Sequence, residues 1–393
     1  MPPSANQPPS NTRRLLLQAM ASTAVGFAPA LKAIADDAVH SFPDGFVWGV
    51  AASAAQTESR DGRGRSNWDI FADRAGAIAD GSSNVLCTEF EQRYSQDLSL
   101  LSAAGVKAFR FSIAWPRIQP DGPGAPSAQG LAFYDRLVDA MLERGMVPWP
   151  TIFHWDVPVW AGDFRDRSIA QRLADHAGII GRKLGDRVRD WIVMNEPNSV
   201  ALRGYGGSVL APALNSPPAA LAAVHHQNLA QGLAFQSLRA VLPAGCHIGT
   251  TISVAPIRPE GGRAENITAA RTVDALWNRA FLDPLYGKGY PDLLKEHLAP
   301  LVKEGDMEII AARPDFLGVN YYMCFYVKAA GEAPFGVAPG EPPPGLPRTA
   351  YFQVEPDGLT EVLSSLDADY GHPDRDRDRL RAERPGTAQR HRR

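Results

Sequence analysis

Short apolar runs alternate along this chain with longer stretches in which apolar positions recur every three or four residues. The runs at 46–53, 106–113, 146–154, 188–196, 247–254 and 315–322 read as strands. Between and after them, 130–144, 168–184, 219–241, 264–282 and 357–370 carry the spacing of amphipathic helices. Strand followed by helix, repeated, is the rhythm of a parallel sheet, because parallel neighbours need a crossover that a helix supplies. The pattern therefore predicts an α/β fold. No internal repeat of solenoid type is present, and the Pro- and Gly-rich segment 330–348 reads as a long surface loop.

Length and charge narrow this picture. With 393 residues, 45% hydrophobic and 21% charged, the chain resembles ordinary globular proteins, and a single barrel-sized domain would use nearly all of it. The formal charge of −3 is unevenly distributed: residues 1–35 carry +3, residues 374–393 carry eight Arg against four acids, and the body between is near −10. An acidic body argues against nucleic acid as a partner. Three widely spaced cysteines, Cys87, Cys246 and Cys324, suggest neither a disulfide framework nor a metal site, and no cofactor motif is found.

The first 35 residues read as an export signal. Arg13-Arg14 precedes a modest apolar stretch, and Ala33-Ile34-Ala35 offers small residues before a cleavage point, the arrangement of a twin-arginine signal. Pro29 and Lys32 interrupt the apolar stretch, so no membrane anchor is expected. The expected location is periplasmic or extracellular, and the expected division is 1–35 signal, 36–373 barrel and 374–393 charged tail.

In a sheet of this kind, polar residues at the C-terminal ends of strands converge on one rim. Here those ends carry Gln56 and Glu58, Arg110, His154-Trp155-Asp156, Asn195-Glu196, and Asn320-Tyr321-Tyr322. Rings beside hydrogen-bonding groups suit a sugar, whose faces stack and whose hydroxyls need polar partners. Cleaving a glycosidic bond further requires a carboxylic acid that protonates the leaving oxygen and a second carboxylate across the anomeric carbon. Glu196, in Trp191-Ile192-Val193-Met194-Asn195-Glu196-Pro197, is the candidate acid. Standing alone, a Glu before Pro could equally be a strand terminus.

The surrounding segments tip that balance. Phe42-Pro43-Asp44-Gly45-Phe46-Val47-Trp48-Gly49, Arg110-Phe111-Ser112-Ile113-Ala114-Trp115-Pro116, Phe153-His154-Trp155-Asp156-Val157-Pro158, the Trp191 to Pro197 segment and Asp315-Phe316-Leu317-Gly318-Val319-Asn320-Tyr321-Tyr322 occur in one order. Together they resemble glycoside hydrolase family one, the β-glucosidase family, over about residues 42–371. The resemblance implies a (β/α)₈ barrel, no cofactor, and a β-glucoside or related oligosaccharide as substrate. It implies that Gln56 and His154 bind sugar hydroxyls, that Trp155 walls the pocket, that Asn195 holds the 2-hydroxyl, and that Glu196 is the acid/base. Arg110 and Tyr322 would support the nucleophilic carboxylate, with Asn320 behind them, and Tyr322 would also face the substrate. Phe352 stands on the leaving-group side where the family often has Trp. Neither the preferred sugar nor the oligomeric state is legible.

One element of the family pattern is missing. Its nucleophile is a Glu followed by Asn-Gly at the end of the seventh strand, and this chain contains no Asn-Gly dipeptide. After Gly371-His372-Pro373 an apolar strand is expected, yet the sequence runs Asp374-Arg375-Asp376-Arg377-Asp378-Arg379. Alternating charges cannot occupy a buried strand. Asp-Arg codons read one base later encode Ile or Thr alternating with residues such as Val, so the tail reads as a shifted frame. The expectation is an incomplete (β/α)₈ barrel with about six of eight βα units and no nucleophile. The alternative is a noncatalytic carbohydrate-binding remnant of the same fold.

Overall fold

The computed structural model describes residues 42–371. The export signal and the charged tail expected from the sequence lie outside these residues. Residues 42–47 form a turn by themselves, closed by the Phe46 amide donating to the Pro43 carbonyl at 3.0 Å.

From Trp48 onward the fold is organised on six parallel strands. These are β1 (Gly49–Ala51), β2 (Ala108–Ser112), β3 (Val147–Phe153), β4 (Asp190–Asn195), β5 (His247–Ser253) and β7 (Phe316–Asn320), hydrogen-bonded in the order β1-β2-β3-β4-β5-β7. All six expected strands are present, each shorter than its expected run. Each is joined to the next by a crossover carrying helices, among them α1 (Phe90–Ala103), α2 (Ala128–Glu143), α3 (Ser168–Leu184) and α4 (Pro217–Val241). Six βα-type repeats in this order are six of the eight of a (β/α)₈ barrel, and the barrel is incomplete among the described residues.

Burial follows position in the sheet. The inner strands β3, β4 and β5 are almost wholly buried, whereas all three residues of β1 are exposed and those of β7 are only half-buried. An edge strand has a neighbour on one side only, so both its backbone and its side chains meet water. Helices α3 and α4 pack closely, and glycines permit the approach. A Cβ on Gly178 would lie 2.7 Å from Ser237 Oγ, and one on Gly181 would lie 2.8 Å from Val241 Cγ2.

Two features depart from the expected pattern. The segment 330–348 is not loop throughout, because β9 (Val337–Pro339) pairs antiparallel with β8 (Phe325–Ala329), which runs parallel to β6 (Ile257–Pro259) in a small second sheet. Pro339 can end such a strand because an edge position leaves its missing N–H without consequence. The helix expected over 264–282 is α5 (Ala264–Asp274), followed by a π-helical turn, Ala275–Arg279, and a further α segment, Ala280–Leu285. A second π-helical turn, Val200–Tyr205, follows Glu196 closely. Such turns insert extra residues into a helix and cluster at functional sites. Among the described residues no helix is long and apolar enough to cross a membrane.

Candidate active site

The C-terminal rim of the sheet gathers side chains from four strands. Arg110 lies within β2, His154 and Trp155 follow β3, Asn195 ends β4 with Glu196 next, and Asn320 ends β7 with Tyr322 two residues on. The β4–β5 register shifts between Ile192 and Asn195. A shift of this kind bends the strand and turns its last side chains, and Glu196 leaves it with φ of 47°, a left-handed conformation uncommon outside glycine. The Glu196 amide still donates to the Thr251 carbonyl at 2.8 Å, so the bend is anchored to β5.

Asn195 is the hub of the site. Its Oδ1 accepts from an Arg110 guanidinium nitrogen and, at 3.2 Å, from Asn320 Nδ2. Its Nδ2 lies 3.1 Å from His154 Nε2, and its carbonyl accepts from Trp155 Nε1 at 2.7 Å. Glu196 is buried and held by both carboxyl oxygens. Asn320 Nδ2 donates to Oε1, the Tyr322 hydroxyl lies 3.5 Å from the same oxygen, and Ser199 Oγ donates to Oε2 at 2.6 Å.

The electrostatics are those of a desolvated cation near one carboxylate. Arg110 also donates from Nε to Thr151 Oγ1 at 3.2 Å, and among the described residues it forms no ion pair. Burial pulls its pKa down from the usual arginine value, and the nearby Glu196 and Tyr322 partly offset this. His154 is pushed down to about 3, first by burial and then by the positive charge of Arg110, and is neutral at physiological pH. Burial, followed by the charge of Glu196, raises the Tyr322 phenol.

The remaining expected residues are more peripheral. Phe352 stacks on Tyr322 with ring centroids 5.3 Å apart, and Trp155 stacks on Trp68 at 6.3 Å. Gln56 is exposed in a short helix after β1, where its Oε1 accepts from Ser53 Oγ at 2.6 Å, and no hydrogen bond joins it to the Glu196 network. Asp156 and Glu58 are buried, with Glu58 paired to Arg117 at 2.7 Å. Among the described residues no group of three or more His, Cys, Asp or Glu is placed to hold a metal. Ser199 was not among the expected residues. Its only sequence signal is its place three residues beyond Glu196, one helical turn away.

A model of glycosyl hydrolase family 1 matches residues 38–374. The chain belongs to this family. Thermostable β-glucosidase B of Thermobispora bispora is 39% identical over 355 residues, which are 84% of this chain and 70% of that protein. The crystal structure of the psychrophilic β-glucosidase BglU from Micrococcus antarcticus superimposes with a TM-score of 0.79 at 39% identity, covering 84% of this chain and 76% of that one. The β-glucosidase from Thermotoga maritima in complex with glucoimidazole gives a TM-score of 0.79 at 34% identity, covering 85% and 77%.

Proposed function

We propose that this family 1 chain recognises the nonreducing β-D-glucosyl unit of β-glucosides, with Glu196 as the acid/base of a retaining hydrolysis. The observation that carries the reading is the arrangement around Glu196, a buried carboxyl fixed at both oxygens on the rim where Arg110, His154, Asn195, Asn320 and Tyr322 converge. In the retaining route Glu196 gives its proton to the leaving oxygen while a second carboxylate attacks the anomeric carbon; Glu196 then removes a proton from the water that releases the sugar. Arg110 and Tyr322 are read as the supports of that second carboxylate. Among the described residues Arg110 has no carboxylate partner, although a buried cation ordinarily has one, and this supports the reading that the second carboxylate is lacking.

The nucleophile is therefore read as lacking from these 393 residues, so the chain binds the sugar and turns it over negligibly. The unpaired Arg110 also favours the alternative of a noncatalytic carbohydrate-binding protein, and one experiment addresses both. Purified protein is titrated with glucoimidazole and assayed on an aryl β-glucoside. Binding without turnover is expected. Robust turnover would overturn the lost nucleophile, and absence of binding would overturn the sugar site. Phe352, stacked on Tyr322, is assigned to the leaving-group side.

A further inference from the structure

The direction of every hydrogen bond around Glu196 follows from Arg110. A guanidinium has donors only, so the Asn195 atom facing it is the carbonyl oxygen, and the Asn195 amide nitrogen must face His154. His154 Nε2 then accepts, and its ring proton sits on Nδ1. Because Asn195 Oδ1 is an acceptor, Asn320 turns its amide nitrogen toward it, and the second proton of that nitrogen goes to Glu196 Oε1. Oε1 is thereby an acceptor. When Glu196 carries a proton, Oε2 is left to carry it.

Among the described residues one side chain is hydrogen-bonded to Oε2. Ser199 Oγ lies 2.6 Å away and both residues are buried. A hydroxyl can donate or accept as it rotates, unlike the amide at Oε1. We propose that Oε2 is the proton-bearing oxygen of Glu196 and that Ser199 is a positioning residue that holds it. As the Oε2–H bond breaks and the proton passes to the leaving oxygen, the negative charge left on Oε2 is met by the Ser199 hydroxyl. A hydrogen bond to a full charge is the stronger kind, so the contact strengthens as the proton departs. The other charged or titratable groups facing this carboxyl are Arg110 from β2 and Tyr322 after β7, while His154, on the far side of Asn195, is neutral.

Ser199 itself is fixed by its neighbours. Asn198 Nδ2 donates to the carbonyls of Ser253, at 2.6 Å, and Trp277, at 2.9 Å, tying the turn after Glu196 to the end of β5 and to the π-helical turn Ala275–Arg279. The hydroxyl is thus presented from a braced backbone.

The proposal rests on Glu196 being the acid/base, but its test needs no turnover. The protein is labelled with 13Cδ-glutamate, the Glu196 signal is assigned by its loss in Glu196→Gln, and the signal is followed with pH in wild type, Ser199→Ala and Ser199→Thr. Removing the donor destabilises the carboxylate, so the Ala variant is expected to titrate higher by about one pH unit, the size of one hydrogen bond to a charged group. Thr keeps the hydroxyl and is expected to restore the wild-type midpoint. An Ala midpoint equal to wild type, or a Thr midpoint as high as that of Ala, would overturn the role of Ser199. Glucoimidazole titration of the same wild-type sample separates the two ideas: failure to bind strikes the sugar site and leaves the Ser199 result standing.

Discussion

Arg110 and Asn195, 85 residues apart in the chain, meet through a guanidinium-to-amide hydrogen bond that orients the whole rim of the sheet. The same guanidinium is desolvated, has neutral hydrogen-bond partners in Thr151 and Asn195, and places its charge near His154.

Replacing Arg110 by Met should therefore be visible at His154. Its pKa of about 3 is set first by burial and then by the Arg110 charge. Removing the charge raises the titration midpoint of the His154 ring, which stays below the usual 6.5 because burial persists. An NMR pH titration of the histidine ring signals checks this, and an unmoved midpoint would show that the charge does not reach His154.

Acid should destabilise the fold through buried neutral histidines. His176 is fully buried, stacks on Trp115 at 5.3 Å, and has a pKa lowered to about 3 by burial. Its folded value lies below its unfolded value of 6.5, so the unfolded chain binds the extra proton between them. This contribution is intact above about pH 6.5 and falls away as pH drops toward 3. Between pH 7 and 5 the loss is on the order of 2 kcal/mol for this residue. Urea unfolding at both values should show a smaller difference in His176→Phe, which keeps a ring against Trp115.

Asp306 ties three outer helices together. It is buried, pairs with an Arg167 guanidinium nitrogen, and lies 2.9 Å from His225 Nε2, which in turn contacts the Tyr290 hydroxyl through its other nitrogen. Burial works against its charge, but the bonds from Arg167, Lys303 and His225 lower its pKa to about 2. Asp306→Asn should cost about 2 kcal/mol at neutral pH, discounted from a fully buried pair because Arg167 is partly exposed. The sign follows from the lowered pKa: the contribution is present above about pH 4 and lost as pH falls through about 2. Denaturation curves of the two proteins should accordingly converge in strong acid.

Export is proposed from sequence alone. Changing Arg13 and Arg14 together to Lys should hold the protein in the cytoplasm with its first 35 residues uncleaved. Fractionation with mass measurement decides this, and a processed, exported Lys-Lys variant would refute the assignment.

Much of the architecture was legible because strands buried on both faces leave continuous apolar runs. Trp191–Met194 in β4 is such a run, whereas β5, inside 247–254, is written largely in Thr, Gly and Ile, small or β-branched residues that suit a buried strand. The edge strand β1 is shorter than its apolar run, because a strand ends where its single neighbour stops pairing, and no local pattern records that. The small sheet of β6, β8 and β9 was hidden for a similar reason. Its members are three to five residues long, two of them contain Pro, and only contact with α5 and with one another makes them strands.

The site divides along the same line. Residue types, order and spacing identified Arg110, His154, Asn195, Glu196, Asn320 and Tyr322 as candidates, since strand ends in a parallel sheet share one rim. Which atom of each donates, which accepts, and that Ser199 rather than any foreseen residue holds Glu196 Oε2 were decided by tertiary structure alone. Hydrogen-bond polarity passes from Arg110 through Asn195 and Asn320 to Glu196, across 85 and then 125 residues of chain. The sequence determines the chemistry of each link by itself, but the order of the links depends on strands brought side by side, and that order exists only in the folded molecule.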